Sequence, residues 1–233
     1  MPRAVLLDVD GTLYDPHRLR RAMLWRLLRF GLRRPWALPA VVRVVRAYRM
    51  ALEGLRGEIE GETAEPLGTA QLRAAARRAG VPESRVREIV ARWMEVEPLE
   101  LLAACARPGL VPFLQRAARA GVRVGVVSDY PAAAKLERLG VTALVAVVVC
   151  AQDDEVGRAK PDPRGLLLAA RRLAVSPAEV VYVGDRPEVD AAAAAAAGMR
   201  CAIIGAAARR HHSGAAWLPV RSFDELATAL LAP

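Results

Sequence analysis

The sequence predicts an α/β protein: a parallel sheet crossed by helices, with a wholly helical segment inserted after the first strand. Three observations predict it. From Gly109 onward, short apolar runs alternate with helical periods, the order that gives parallel strands joined by right-handed crossovers. Those runs are apolar almost throughout, as strands covered on both faces are. Residues 15–96, by contrast, carry helical periods and no strand signal. The expected boundaries are 1–14 with 97–233 for the sheet unit and 15–96 for a helical cap, expected as a lid over the strand ends.

The first strand opens at Ala4 and ends abruptly on Asp8 and Asp10, followed by Gly11 and Thr12. Side chains alternate along a strand, so the two carboxylates start out aimed to one side. Like charges at the end of a buried strand are costly unless a cation or a shared proton relieves them. Asp15-Pro16 is an N-cap with proline at the first helical position, and Leu19, Met23, Leu27 and Phe30 mark one helix face. Gly31 and Pro35 break that helix, and Val41 to Leu52 continue with a second. Glu53–Gly68 reads as a loop, Thr69–Arg78 as a third helix ended by Gly80, and Pro82–Val96 as a fourth. Glu97–Pro108 reads as a connecting segment.

Val111–Ala120 is the next expected helix, ended by Gly121. Val122–Val127, apolar apart from Arg123, is a strand that stops at Ser128. Pro131–Leu139 is a helix and Leu144–Val149 a strand, followed by a polar loop to Lys160-Pro161. Asp162-Pro163 starts a helix through Leu173, and Ser176-Pro-Ala-Glu179 fits a capping box. Val180–Val183 is a strand ending on Gly184-Asp185, and Pro187 opens an alanine-rich helix ended by Gly198. Cys201–Ile204 is the last expected core strand, with a loop over Ala206–Ser213 and a terminal helix from Phe223.

Composition narrows the class. The chain has 233 residues, 54% of them hydrophobic, enough for one large domain or a domain with a smaller insert. No signal peptide is evident, and no uncharged apolar run approaches the roughly 20 residues that span a bilayer. Cys105, Cys150 and Cys201 are odd in number and far apart, matching neither a disulfide framework nor a zinc site; a reducing cytoplasm is the expected compartment and buried small hydrophobes the expected role. Of 34 basic residues all but Lys135 and Lys160 are arginine, so a lysine at a particular place needs a reason.

Four strands end in, or lead to, a polar marker: Asp8 with Asp10, Ser128, Lys160, and Gly184-Asp185 with Asp190 a turn further. Parallel strands bring these ends to one edge. Carboxylates, a hydroxyl and an ammonium gathered there suit a magnesium ion and a phosphoryl group.

The pattern resembles the haloacid dehalogenase superfamily. The motif hhhDxDGT is matched by Leu6-Leu-Asp8-Val-Asp10-Gly-Thr12, the strand ending in Ser or Thr by Val124–Ser128, the lysine motif by Lys160-Pro161, and the acidic motif by Gly184-Asp185 with Asp190. The resemblance implies a Rossmann-like core with a helical cap of the type inserted after the first strand. It implies Asp8 as the nucleophile that forms an aspartyl-phosphate, and Asp10 as the acid and then base. It implies Ser128 and Lys160 as ligands of the transferring oxygens, and Mg²⁺ held by Asp8, Asp185 and the main-chain carbonyl of Asp10. Asp8 is expected to stay ionised and Asp10 to carry the proton. Asp190 has two readings, support behind the metal site or a helix-dipole partner.

Residues also discriminate among reactions. Dehalogenases of the superfamily lack the second acid, which is Asp10 here. Phosphonate-cleaving members and sugar-phosphate mutases use a cap lysine, and no lysine precedes Lys135. Water is left as the acceptor, so the expected activity is Mg²⁺-dependent hydrolysis of a small phosphorylated metabolite, with a phosphoryl-transferring mutase as an alternative. His17, His211 and His212 read as solvent-exposed, and Asp153, Asp154 and Glu155 as a solvated turn. The arginine-rich segment Arg18–Arg49 has two readings. In one its apolar faces pack into the cap while arginines face water or the substrate entrance. In the other it binds an anionic lipid surface or nucleic acid. The first is preferred, with no nucleic-acid partner expected; oligomeric state is left open.

Overall fold

The computed structural model describes residues 1–57, 65–210 and 216–231. They form two compact units, one of Met1–Asp15 with Ala106–Pro233 and one of Pro16–Cys105. Among the described residues, no helix is long and apolar enough to cross a membrane.

The first unit is a Rossmann-like layer of six parallel strands. They are β1 (Ala4–Leu7), β2 (Arg123–Ser128), β3 (Val147–Cys150), β4 (Val180–Gly184), β5 (Arg200–Ile204) and β6 (Leu218–Val220), in the order β3-β2-β1-β4-β5-β6. All four residues of β1 are fully buried, because its neighbours β2 and β4 close both edges and helices cover both faces. Leu6, Leu166, Leu173, Tyr182 and Ile203 share one apolar cluster, each burial contributing about 1.5–3 kcal/mol. Phe113 packs against Phe223 with ring centroids 5.4 Å apart. The helices of this unit are α6 (Leu110–Arg119), α7 (Ala133–Arg138), α8 (Arg164–Arg172), α9 (Ala192–Ala196) and α10 (Phe223–Leu231). Before α9 comes a wide turn, Pro187–Ala191. The Ser176–Glu179 capping box is present. The chain leaves and re-enters this unit through a bridge between Tyr14 and Ala106, beside which the Arg107 amide donates to the Leu13 carbonyl at 2.9 Å.

The second unit consists of α1 (Pro16–Arg33), α2 (Leu38–Gly57), α3 (Leu67–Ala79), α4 (Glu83–Val90) continued by a wide-turn segment Ala91–Val96, and α5 (Leu99–Cys105). Gly80 ends α3 at φ 65°, a left-handed conformation suited to glycine.

Several elements differ from expectation. Leu99–Cys105 is a helix of the second unit, not a connector, so the break falls at Cys105 rather than at residue 96. Leu102 and Cys105 are its buried residues, too few to show a period. The short strand β6 was not expected: three residues containing a proline give almost no strand signal, and only an edge position tolerates them. α2 runs on to Gly57, inside the expected loop, of which residues 58–64 lie outside the described residues, as do His211 and His212. The three cysteines are buried.

Candidate active site

Strand register builds the site. Leu7 lies between Val126 of β2 and Val183 of β4. The next amide, of Asp8, donates to the Val183 carbonyl at 2.9 Å and carries the ladder one step further. Asp8 therefore sits at the carboxyl end of the central strand, alongside Gly184 and Asp185, where open α/β sheets place their ligands. The chain then turns, with the Thr12 and Leu13 amides both reaching the Val9 carbonyl and Gly11 at φ 101°. A Cβ at Gly11 would stand 2.1 Å from Oδ2 of Asp185, so only glycine admits that carboxylate. Gly184 does the same for Asp190, whose Cγ would be 2.3 Å from an added Cβ. Arg107 braces the turn by donating from Nε and Nη2 to the Gly11 carbonyl at 3.1 and 2.6 Å.

The Lys160 ammonium, in a side chain sealed from solvent, is the hub. It donates to Asp8 Oδ1 at 2.6 Å, to Asp190 Oδ1 at 2.8 Å and to the Tyr182 hydroxyl at 2.8 Å. Tyr182 in turn donates to Asp190 at 3.1 Å. The other Asp190 oxygen accepts the amides of Asp185 and Arg186 at 3.0 and 2.9 Å. Asp190 is thus a buried anchor for Lys160 and for the turn that carries Asp185. Thr12 donates its hydroxyl to Asp8 Oδ2 at 3.1 Å. Asp129 accepts the Lys160 amide at 3.1 Å, and the Lys160–Pro161 peptide is cis.

Asp10, two residues from Asp8, has a different cation. Lys135 on α7 donates to its two oxygens at 2.5 and 2.7 Å, and the Tyr14 hydroxyl donates to it as well. Ser128 is buried at the end of β2, where its oxygen accepts the Tyr130 amide at 3.2 Å and its hydroxyl proton is left to donate. The structure therefore brings Asp8, Lys160 and Asp185 together, sets Asp10 on Lys135, and puts Ser128 at the neighbouring strand end. Asp153 accepts the Cys150 amide within its own turn, and Glu155 pairs with Arg172 of α8. His17 is exposed on α1.

Charge balance governs the protonation states. Burial pushes the Asp8 carboxyl up, Lys160 pulls it back, and Asp190 and Asp185 push it up again; it titrates at about 8. Burial and Asp190 raise Asp185 to about 6. Burial opposes the charged form of Lys160, but Asp190 and Asp8 outweigh it and hold the ammonium well above the usual lysine range. Burial likewise opposes ionisation of Asp10, and Lys135 with Tyr14 overcomes it, holding that carboxyl below the usual range. The protein's own charges alone thus make Asp8 the weaker acid, through burial and Asp190, and Asp10 the stronger, through Lys135, a residue outside the expected site; the expectation of an ionised Asp8 concerned the carboxyl beside Mg²⁺.

A carboxylate oxygen from each of Asp8, Asp185 and Asp190 lies within 4.8 Å of the other two. Asp190 already serves Lys160, Tyr182 and two amides, which leaves Asp8 and Asp185 for a cation. Three carboxylates around one ammonium carry excess negative charge, and an all-oxygen set of this kind fits Mg²⁺.

This excess has a measurable sign. The folded pKa values of Asp8 and Asp185 exceed those of free carboxylates, so the folded state holds protons that the unfolded chain releases, and stability falls as pH rises from about 4 to about 8. Asp10 and Asp190, shifted down, lose their contribution only below that window. In chelator the melting temperature is expected to be lower at pH 8 than at pH 5. Mg²⁺ at about a hundredfold its dissociation constant is expected to raise it by about 5–10 °C at pH 8 and by much less at pH 5. Equal increments at both pH values in a calorimetric scan would contradict this charge balance.

Known proteins share the family and the fold. The family model for haloacid dehalogenase-like hydrolases matches residues 2–198, and the chain belongs to that family. Among curated relatives, glyceraldehyde 3-phosphate phosphatase of Methanopyrus kandleri is 31% identical over 82% of this chain and 78% of that protein. Phosphoglycolate phosphatase of Xanthomonas campestris pv. campestris is 34% identical over 79% and 75%. The match to N-acetylmuramic acid 6-phosphate phosphatase of Pseudomonas aeruginosa, at 36% identity, spans 50% of this chain and 64% of that protein. Among solved structures, 2-haloacid dehalogenase from Pseudomonas syringae pv. Tomato superposes with TM-score 0.67 at 24% identity over 99% of both chains. It shares the fold.

Sequence reasoning singled out Thr12 and Lys135 without giving them a role at the site, and missed Tyr14, Tyr182, Arg107 and Asp129. For Lys135 a signal existed, the scarcity of lysine.

Proposed function

We propose that the protein is a Mg²⁺-dependent phosphomonoesterase acting on a small phosphorylated metabolite. The observation that carries this reading is the Lys160 ammonium fixed between Asp8 and Asp190, with Asp185 against the Gly11 turn. The phosphatase names of the sequence relatives support it.

Mg²⁺ held by Asp8, Asp185 and the Asp10 carbonyl would supply positive charge for the phosphoryl oxygens and favour ionised Asp8. An Asp8 oxygen attacks phosphorus, the bond to the leaving oxygen breaks, and an aspartyl-phosphate forms. Lys160, and Ser128 through its hydroxyl proton, offer donors to the transferring oxygens, where charge develops in the transition state. Asp10 gives its proton to the leaving oxygen, then takes one from the water that attacks the intermediate. Lys135 holds Asp10 ionised, ready for the second half. The first half needs Asp10 protonated against that hold; Lys135 and the Tyr14 hydroxyl are the donors in contact with it. Both lysines belong to the sheet unit, so the helical unit has no amine for the cap-lysine chemistry of mutases.

The test is a panel of phosphate monoesters assayed with Mg²⁺ and with chelator. Hydrolysis of at least one, lost in chelator and restored by Mg²⁺, is expected. Turnover that is indifferent to chelator, or release of halide from 2-haloacids with no phosphatase activity, would overturn the reading.

A further inference from the structure

The Leu19, Met23, Leu27, Phe30 face of α1 is half-buried within its unit. Phe30 meets Trp93 edge-on with centroids 5.0 Å apart, and Arg26 pairs with Glu97 and Glu100 at 2.6 Å each. These contacts fix the helix by one side. The expectation that its apolar residues would all pack inward fails on the other side. Leu24, Trp25, Leu28 and Leu32 recur there at steps of one, three and four and are exposed, Trp25 to 69% and Leu32 to 86%; Trp36, in the turn beyond, is 77% exposed. A helix apolar on both sides, with only one of them covered, lacks a partner for the other.

The charge around this row says what the partner is. At 100° per residue Arg21 falls within this row and Arg29 flanks it, both exposed, and from Pro16 to Leu52 the chain has ten arginines and no acid. A second copy meeting this face about a two-fold axis would set arginine rows against each other. Nucleic acid would satisfy the arginines but offer nothing to Leu28 and Leu32. An anionic bilayer satisfies both, with acyl chains for leucine and tryptophan and headgroups for arginine.

We propose that α1 is an interfacial docking helix that seats the protein on anionic phospholipid membranes. The proposal is independent of the reaction assigned to the sheet unit. The test is sedimentation of the full chain with vesicles of phosphatidylcholine containing about 30 mol% phosphatidylglycerol, or none, at ionic strength about 0.15 M. Binding is expected to the anionic vesicles alone, with a blue shift of tryptophan emission. Partition is expected to fall about tenfold both in Trp25→Ser/Leu28→Ser/Leu32→Ser and in Arg21→Glu/Arg29→Glu. Because these residues are exposed and belong to the helical unit, whereas the carboxylates belong to the sheet unit, melting temperature and turnover are expected to stay at the parental values. The proposal is overturned by absence of binding to anionic vesicles, or by undiminished binding of the serine variant. It is equally overturned by a dimer in sedimentation velocity that the serine variant dissolves, or by duplex DNA binding that the serine variant retains.

Discussion

Asp8→Asn is expected to lower phosphatase turnover by about 10⁴-fold or more, while leaving the fold intact. The carboxamide has nearly the same shape as the carboxylate but is a far weaker nucleophile, so the covalent step fails. Stability points the other way. Asp8 is one of three carboxylates around a single ammonium, and the substitution removes one of the crowded charges. Lys160 keeps its 2.8 Å contact with Asp190, so no buried ammonium is stranded. In chelator at pH 8 the variant is expected to melt at or above the parental temperature, and Mg²⁺ is expected to stabilise it less. Loss of turnover beside an undiminished melting temperature separates a chemical defect from a folding one. Turnover within tenfold of the parent would remove Asp8 from the role of nucleophile.

Lys160→Met is expected to be the most destabilising single change in the site. It takes away the ammonium that answers both Asp8 and Asp190, in a pocket sealed from solvent. Deleting one partner of a buried ion pair costs about 3–5 kcal/mol, or about 6–20 °C in melting temperature for a chain of this size. The loss depends on pH with a definite sign. Without Lys160 the carboxyl of Asp8 titrates higher still and that of Asp190 loses the cation that holds it down, so the folded state holds more protons and the deficit grows as pH rises. Urea denaturation is expected to show a smaller deficit at pH 5 than at pH 8. Adding Asp190→Asn is expected to recover more than half of the deficit at pH 8. A deficit under about 1 kcal/mol at pH 8 would mean that the pair has little net worth there.

The legible parts of this site share a property: each is marked by a break in a local pattern. Asp8, Ser128 and Gly184-Asp185 interrupt apolar strands, and Lys160 stands out against an arginine background. What stayed hidden depends on partners far along the chain. Lys135 had the same rarity as Lys160, but its partner Asp10 lies 125 residues away and nothing local says which way a short helix will turn. Tyr182 sits inside Val180–Gly184, where a tyrosine reads as a strand former and its hydroxyl contact with Lys160 is invisible. Arg107 is one of many arginines, and only the fold reveals that it grips the Gly11 carbonyl. The fold itself was legible except where elements were too short to show a period, as in Leu99–Cys105 and Leu218–Val220.

The placing of β1 at the centre of the sheet has a consequence for synthesis. Its hydrogen-bonding neighbours begin at Arg123 on one side and Val180 on the other, so Ala4 waits for residues made 119 and 176 positions later. Loop closure over such spans is slow, whereas the helices from Pro16 to Cys105 make their contacts with one another. As the chain leaves the ribosome, the nascent helical unit can condense first, and β1 with the two aspartates after it does not have both strand neighbours until Val180–Gly184 has emerged.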